Sequence, residues 1–166
     1  MKATFLFLLL FGSLLVSAQK VDFQQKVDYT IEVTLDDQLH LLNGSERLIY
    51  TNNSPDTLHE IFWHLWPNAY SDKNTAFGQQ QLRNGNTNFY FAEEENRGGF
   101  KKLNCKLDGQ ALVLDQWEGH KDVATTSLPR PLAPGASMEF EFEFSIKIPK
   151  SFSRMGRTDS SYQLTQ

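Results

Sequence analysis

Eleven consecutive residues, Met138 to Ile148, alternate without exception: Met-Glu-Phe-Glu-Phe-Glu-Phe-Ser-Ile-Lys-Ile, apolar at every even position and polar at every odd one. Successive side chains of an extended strand point to opposite faces, so this segment has one oily face and one wet face. A helix would spread the three phenylalanines around its circumference. Burying six apolar side chains is worth roughly 9–18 kcal/mol gross, at about 1.5–3 kcal/mol each, so the face requires a second layer to pack on. The rest of the chain supplies mostly further strands. The expected class is all-β, an antiparallel β-sandwich.

Residues 28–35 alternate with Tyr29, Ile31, Val33 and Leu35 on one face. Asp36-Asp37-Gln38 turns the chain into a second strand over 39–51, in which Asn43-Gly44 reads as a bulge. The turn residues 52–56 lead to a third strand over 58–66, closed by Pro67. Asp108-Gly109 joins strands at 102–107 and 110–114 with a two-residue hairpin. A short strand at 123–127 follows, and Pro129, Pro131 and Pro134-Gly135 read as a rigid turn before the long alternation. Pro149 ends that strand, and 151–161 reads as loop. Tyr162 and Leu164 open another alternation at the end of the sequence, and are expected to need pairing partners from further chain. Residues 68–100 lose all periodicity. Within them 75–83 suits a short helix, capped by Asp72 or Asn74 and ended by Gly85. A stretch of this length without strong structure is expected to be a functional or interface loop.

The first 18 residues have the form of a cleaved signal peptide: Lys2, an apolar run over 5–16, and Val16-Ser17-Ala18 at the cleavage positions. Removing these 18 of 166 residues leaves 148, enough for one domain at 19–166. The run is too short to span a bilayer comfortably, so the product is expected in the periplasm or outside the cell, with no membrane span. Cys105, the single cysteine, excludes an intramolecular disulfide and alternates with Leu103 and Leu107 as a core residue. The formal charge of −4, which becomes −5 without Lys2, argues against a nucleic-acid partner.

Several segments carry a family resemblance. They are residues 29–33, then Leu42-Asn43-Gly44-Ser45-Glu46-Arg47-Leu48-Ile49-Tyr50-Thr51-Asn52, then His64-Leu65-Trp66-Pro67-Asn68-Ala69-Tyr70. Pro131-Leu132-Ala133-Pro134-Gly135 precedes a strand ending Ile148-Pro149, and Ser151-Phe152-Ser153-Arg154-Met155-Gly156 and Ser161-Tyr162-Gln163-Leu164-Thr165-Gln166 complete the series. In this order they resemble the N-terminal domain of peptidase family M1, the gluzincin aminopeptidases, in its exported bacterial branch. The resemblance implies a saddle-like, all-β, non-catalytic domain, truncated before the zinc-bearing catalytic domain that would be its packing partner. It implies zinc as the cofactor of the intact enzyme and peptides as its substrate. It also implies one site residue. Thr165-Gln166 match the start of the family's Thr-Gln-x-Glu-like stretch, whose glutamine helps bind the substrate's free α-amine, so Gln166 is the candidate substrate-binding residue. Read without the resemblance, Gln166 is an edge-strand glutamine.

Two motifs imitate the family's chemistry. His59-Glu60-Ile61-Phe62-Trp63-His64 is one residue longer than H-E-x-x-H, and a spacing of five puts the histidines on opposite faces of a strand. Gly135-Ala136-Ser137-Met138-Glu139-Phe140 resembles the G-x-M-E-N loop with one residue too many, and leaves Glu139 on the wet face of a strand. No catalytic and no metal-ligating residue is therefore assigned. Glu93-Glu94-Glu95 and the basic residues Lys147, Lys150, Arg154 and Arg157 read as solvated surface. A different class of function stays open: a free-standing secreted β-sandwich that binds glycan or protein through residues 68–100.

Overall fold

The computed structural model describes residues 23–165. The signal peptide expected at 1–18 lies outside these described residues. Among the described residues the strands are β1 (Lys26–Asp36), β2 (Leu41–Thr51), β3 (Leu58–His64), β4 (Gly99–Leu107), β5 (Gln110–Leu112), β6 (Asp115–Trp117), β7 (His120–Leu132), β8 (Ser137–Lys147), β9 (Met155–Arg157) and β10 (Tyr162–Leu164), with one α-helix, α1 (Ala76–Arg83). They form an antiparallel five-stranded sheet in the order β1-β2-β8-β4-β5, a three-stranded sheet β3-β7-β6, and the ribbon β9-β10. The class is the one the alternation predicts. Among the described residues no helix is long and apolar enough to cross a membrane.

β8 lies at the centre of the large sheet, between β2 and β4. Its register aligns the apolar rows across the sheet: Tyr29, Leu48, Phe140 and Leu107 in one, and Ile31, Glu46, Phe142 and Cys105 in the next. From Met138 to Ile146 the even-numbered side chains of β8 are 0–9 % exposed. The small sheet supplies their cover. Trp63 of β3 stands edge-on to Phe140 and Phe142, with ring centroids 5.0 and 5.2 Å apart.

Asn52, fully buried, ties the two sheets together. Its Nδ2 donates to the carbonyls of Asp56 (2.8 Å) and Leu132 (3.0 Å), and its Oδ1 accepts from Ser54 N (3.0 Å) and Ser54 Oγ (2.6 Å). The end of β2 is thereby fixed to the end of β7.

Several local expectations are corrected. Asn43-Gly44 forms no bulge, because β1 and β2 keep one register through all eleven pairs. The glycine serves close packing: a Cβ at Gly44 would sit 2.6 Å from Phe144 Cζ and 2.8 Å from the Glu32 carbonyl. β3 stops at His64, and Pro67 sits in the first turn of a 3-10 stretch, Trp66–Tyr70. α1 is capped by Thr75, whose Oγ1 accepts from Gly78 N at 3.2 Å, whereas the Asp72 carboxylate takes Asn74 N and Lys121 Nζ.

Pro129 and Pro131 do not form a turn; they lie inside β7. The β3–β7 register jumps from Leu58↔Leu132 to Glu60↔Ser127, so the prolines occupy a bulge where no ladder N–H is required. β7 also begins earlier than alternation suggested, because Glu118 and Gly119, both at positive φ (41° and 80°), fold a tight hairpin onto β6. The expected loop at 151–161 contains β9, with Met155 fully buried. Tyr162 and Leu164 pair with Arg157 and Met155 of β9, so their partners lie within the chain. The Tyr162 hydroxyl also donates to the Asp37 carbonyl (3.2 Å) and shares a 2.7 Å hydrogen bond with His40 Nδ1 at the β1–β2 turn.

Candidate functional site: an open cleft beside an uncovered sheet face

The three-stranded sheet covers only part of the large sheet. β1 places Tyr29, Ile31, Val33 and Leu35 on the same inner face as the β8 phenylalanines, yet these four are 43–59 % exposed. Where the cover ends, a cleft of about 450 Å³ opens between the sheets. Its walls are Tyr29, Glu46, Leu48 and Tyr50 from β1 and β2, and Ile61 and Trp63 from β3.

Glu46 is the unusual group here. It occupies an inner-face position of β2, between Gly44 and Leu48 and opposite Phe142. Burial pushes its carboxyl above the ordinary carboxylate range, because the charged form is poorly solvated there. Burial raises the Tyr29 phenol, with the Glu46 charge adding to it, and burial raises Tyr50. Across the cleft the Trp63 indole nitrogen is buried without a hydrogen-bond partner among the described residues. The arrangement is an apolar wall carrying one carboxyl and two phenols. It suits apolar side chains accompanied by a few polar groups.

Gln166, the candidate substrate-binding residue, lies outside the described residues. Its neighbour Thr165 donates from both N (2.9 Å) and Oγ1 (3.1 Å) to the Arg154 carbonyl. His59 and His64 are not brought together around a metal; His64 Nε2 instead faces Asp122 at 3.8 Å. No group of three or more His, Cys, Asp or Glu among the described residues is placed to hold a metal ion. Glu139 lies on the outer face in a fork-to-fork pair with Arg47, at 2.5 Å. Cys105 is buried, and desolvation pushes its thiol up to about 12.

The segment 68–100, expected to be a functional or interface loop around a short helix, contains α1 and is packed. Phe77, Phe89, Tyr70 and Phe152 make a contiguous aromatic cluster, and Phe89 is nearly fully buried. Asn68 holds the segment's base, donating to the Lys121 carbonyl (3.1 Å) and accepting from Phe100 N (2.9 Å). The three tryptophans are dispersed. Trp63 is in the core, Trp66 stands against Tyr70, and Trp117 lies outside, stacked on His120 and edge-on to the exposed Phe62.

Reading the sequence strand by strand missed Glu46 and the uncovered stripe. One signal was there: a glutamate at an apolar-parity position, in the series Leu42, Gly44, Glu46, Leu48, Tyr50. No family model matches this chain, and no curated protein matches it significantly.

Proposed function

We propose that the chain is the non-catalytic, exported N-terminal β-domain of an M1-type zinc aminopeptidase, an enzyme that trims residues from the free amino end of peptides. The order and spacing of the resembling segments support this, and the all-β sandwich agrees with it. One observation carries it: four inner-face side chains of β1, Tyr29, Ile31, Val33 and Leu35, are apolar, 43–59 % exposed, and border a cleft. Such a face is expected where further polypeptide completes the core. In this reading a catalytic domain follows in sequence, seats against β1 and β2, and brings the zinc and its activated water. Gln166 then lies near the peptide's amine, its amide oxygen accepting from the ammonium.

The test starts with the DNA downstream of this sequence, which should hold an open frame with H-E-x-x-H. The extended protein should hydrolyse amino-acyl chromogenic substrates in a chelator-sensitive way, and the 166-residue chain should not. In the extended protein Gln166→Ala should raise KM for free-amine peptides without changing metal content. Chelator-sensitive turnover by the chain itself, or a downstream frame without the motif, refutes the proposal.

A second reading, a free-standing secreted binding module, rests on the outer aromatic group of Phe62, Trp117 and His120 rather than on 68–100. Saturable quenching of tryptophan fluorescence by an oligosaccharide, lost in Trp117→Ala, would favour it.

A further inference from the structure

β1 forms one outer edge of the large sheet, and the other edge is the three-residue β5. Long edge strands are ordinarily blunted by proline, a bulge or an inward-pointing charge. β1 has none of these three; the charges it carries all point to the outer face. It runs eleven residues without proline or glycine, in unbroken register with β2. Its charged side chains, Lys26, Asp28, Glu32 and Asp36, all share the outer face, and Val27, Tyr29, Ile31, Val33 and Leu35 share the inner one. Among the described residues the backbone groups along its free side pair with no other strand.

The strand is also complementary to itself in one register. An antiparallel pairing of β1 with β1 of a second copy, about a two-fold axis at Ile31, uses all eleven residues. It sets Lys26 against Asp36 at both ends, with Asp28 against Thr34 and Thr30 against Glu32 between them. On the inner face Val27 meets Leu35, Tyr29 meets Val33, and Ile31 meets its counterpart. Neighbouring registers are worse. Centring on Thr30 puts Asp28 against Glu32, and centring on Glu32 puts Glu32 against itself and Asp28 against Asp36. Like charges directly opposite one another are destabilising. Centring on Tyr29 avoids those clashes but pairs only residues 26–32 of the strand. Lys26 touches Asp28 of its own strand at 2.7 Å, but the contact is exposed and its ammonium retains donors for a second carboxylate.

We propose that the chain forms a two-fold symmetric homodimer through antiparallel β1–β1 pairing centred on Ile31, joining two five-stranded sheets into one of ten strands. This goes beyond the proposed function, because it uses the backbone edge of β1 and leaves the face above β1 and β2 for other polypeptide.

Disulfide trapping reads the register directly. In the proposed pairing the two Ile31 side chains are opposite neighbours, whereas the two Val33 side chains are four residues apart along the strands, about 13 Å. Ile31→Cys should therefore give a disulfide-linked dimer under mild oxidation, at least about tenfold more than Val33→Cys. Both positions are exposed, so both variants should keep the parent's circular dichroism, and buried Cys105 contributes no background. Sedimentation of the unmodified chain should show a concentration-dependent dimer. Lys26→Glu, which turns both end pairs repulsive, should weaken it roughly five- to tenfold. A monomer at all concentrations overturns the proposal and leaves the edge to another partner. Equal cross-linking at Ile31→Cys and Val33→Cys overturns it as unspecific association.

Discussion

β8 and β1 alternate equally well in sequence and end in opposite circumstances. The even-numbered positions of β8 from Met138 to Ile146 are at most 9 % exposed, whereas Tyr29, Ile31, Val33 and Leu35 of β1 are at least 43 % exposed, although both sets share one face of one sheet. The alternation therefore fixes which way a side chain points, and does not fix what lies above it. Cover depends on where the strand sits in the sheet and how far the second layer extends. Here the small sheet reaches over β8, where Trp63 meets Phe140 and Phe142, and leaves β1 from Tyr29 to Leu35 largely exposed.

The sharpest way to break that comparison is to delete equivalent bulk from both faces. Phe140→Ala should cost about 3–5 kcal/mol through lost burial and a cavity beneath Trp63, and Ile31→Ala under about 1 kcal/mol. Urea unfolding followed by circular dichroism measures both, and similar costs would mean β1 is covered in solution. Asn52→Ala should cost about 2–3 kcal/mol in the same assay, because the Leu132 carbonyl and Ser54 N–H lose their buried partner where the covered half is anchored. If its unfolding midpoint matches the parent's, the anchoring role fails.

A smaller effect belongs to the uncovered half. The Glu46 carboxyl is raised by burial, so the folded state holds its proton more tightly than the unfolded one. Below the unfolded value both states are protonated and nothing is lost. As pH rises through the folded value the group must ionise in poorer surroundings, and stability falls. Glu46→Gln should therefore raise the melting temperature modestly at pH 7 and leave it unchanged near pH 3. An equal gain at both pH values would remove desolvation as the cause. The smallest effect is expected at Cys105. With its thiol pushed up to about 12 and buried in the covered half, a thiol-specific reagent should label it only after denaturation. Rapid labelling of the native chain would show that the covered half admits solvent.

Strand existence was legible wherever a two-residue period ran unbroken, as in β1 and β8, and wherever turn chemistry was local, as at Asp108-Gly109, where both residues have positive φ. Reading failed where partners lie far off in sequence. Pro129 and Pro131 look like turn residues until β3 is laid beside them and the extra residues of β7 are seen to bulge there. Met155 looks like part of a loop until Leu164 pairs with it. The segment 68–100 lacks periodicity because its order comes from an aromatic cluster that closes on Phe152, and no short window contains that contact. The candidate site shows the same division. The parity of Tyr29 and Ile31 placed them on the inner face, but only the extent of β3, β6 and β7 could leave them open and Glu46 half-buried beside a cleft.

The position of β8 also bears on how the chain reaches this structure. Leu48 of β2 waits for Phe140, which follows it by 92 residues. At synthesis rates of about 5–20 residues per second, that delay is roughly 5–20 s, far longer than a hairpin takes to form. The β1–β2 and β4–β5 hairpins need only local partners, whereas closing the sheet needs β8 to pair with β2 and β4 from much further along the chain, and an isolated hairpin is marginally stable until it does. Such distant pairing makes folding slow. Throughout the interval β2 keeps a vacant inner flank, so the early hairpin is the segment most prone to join the wrong strand.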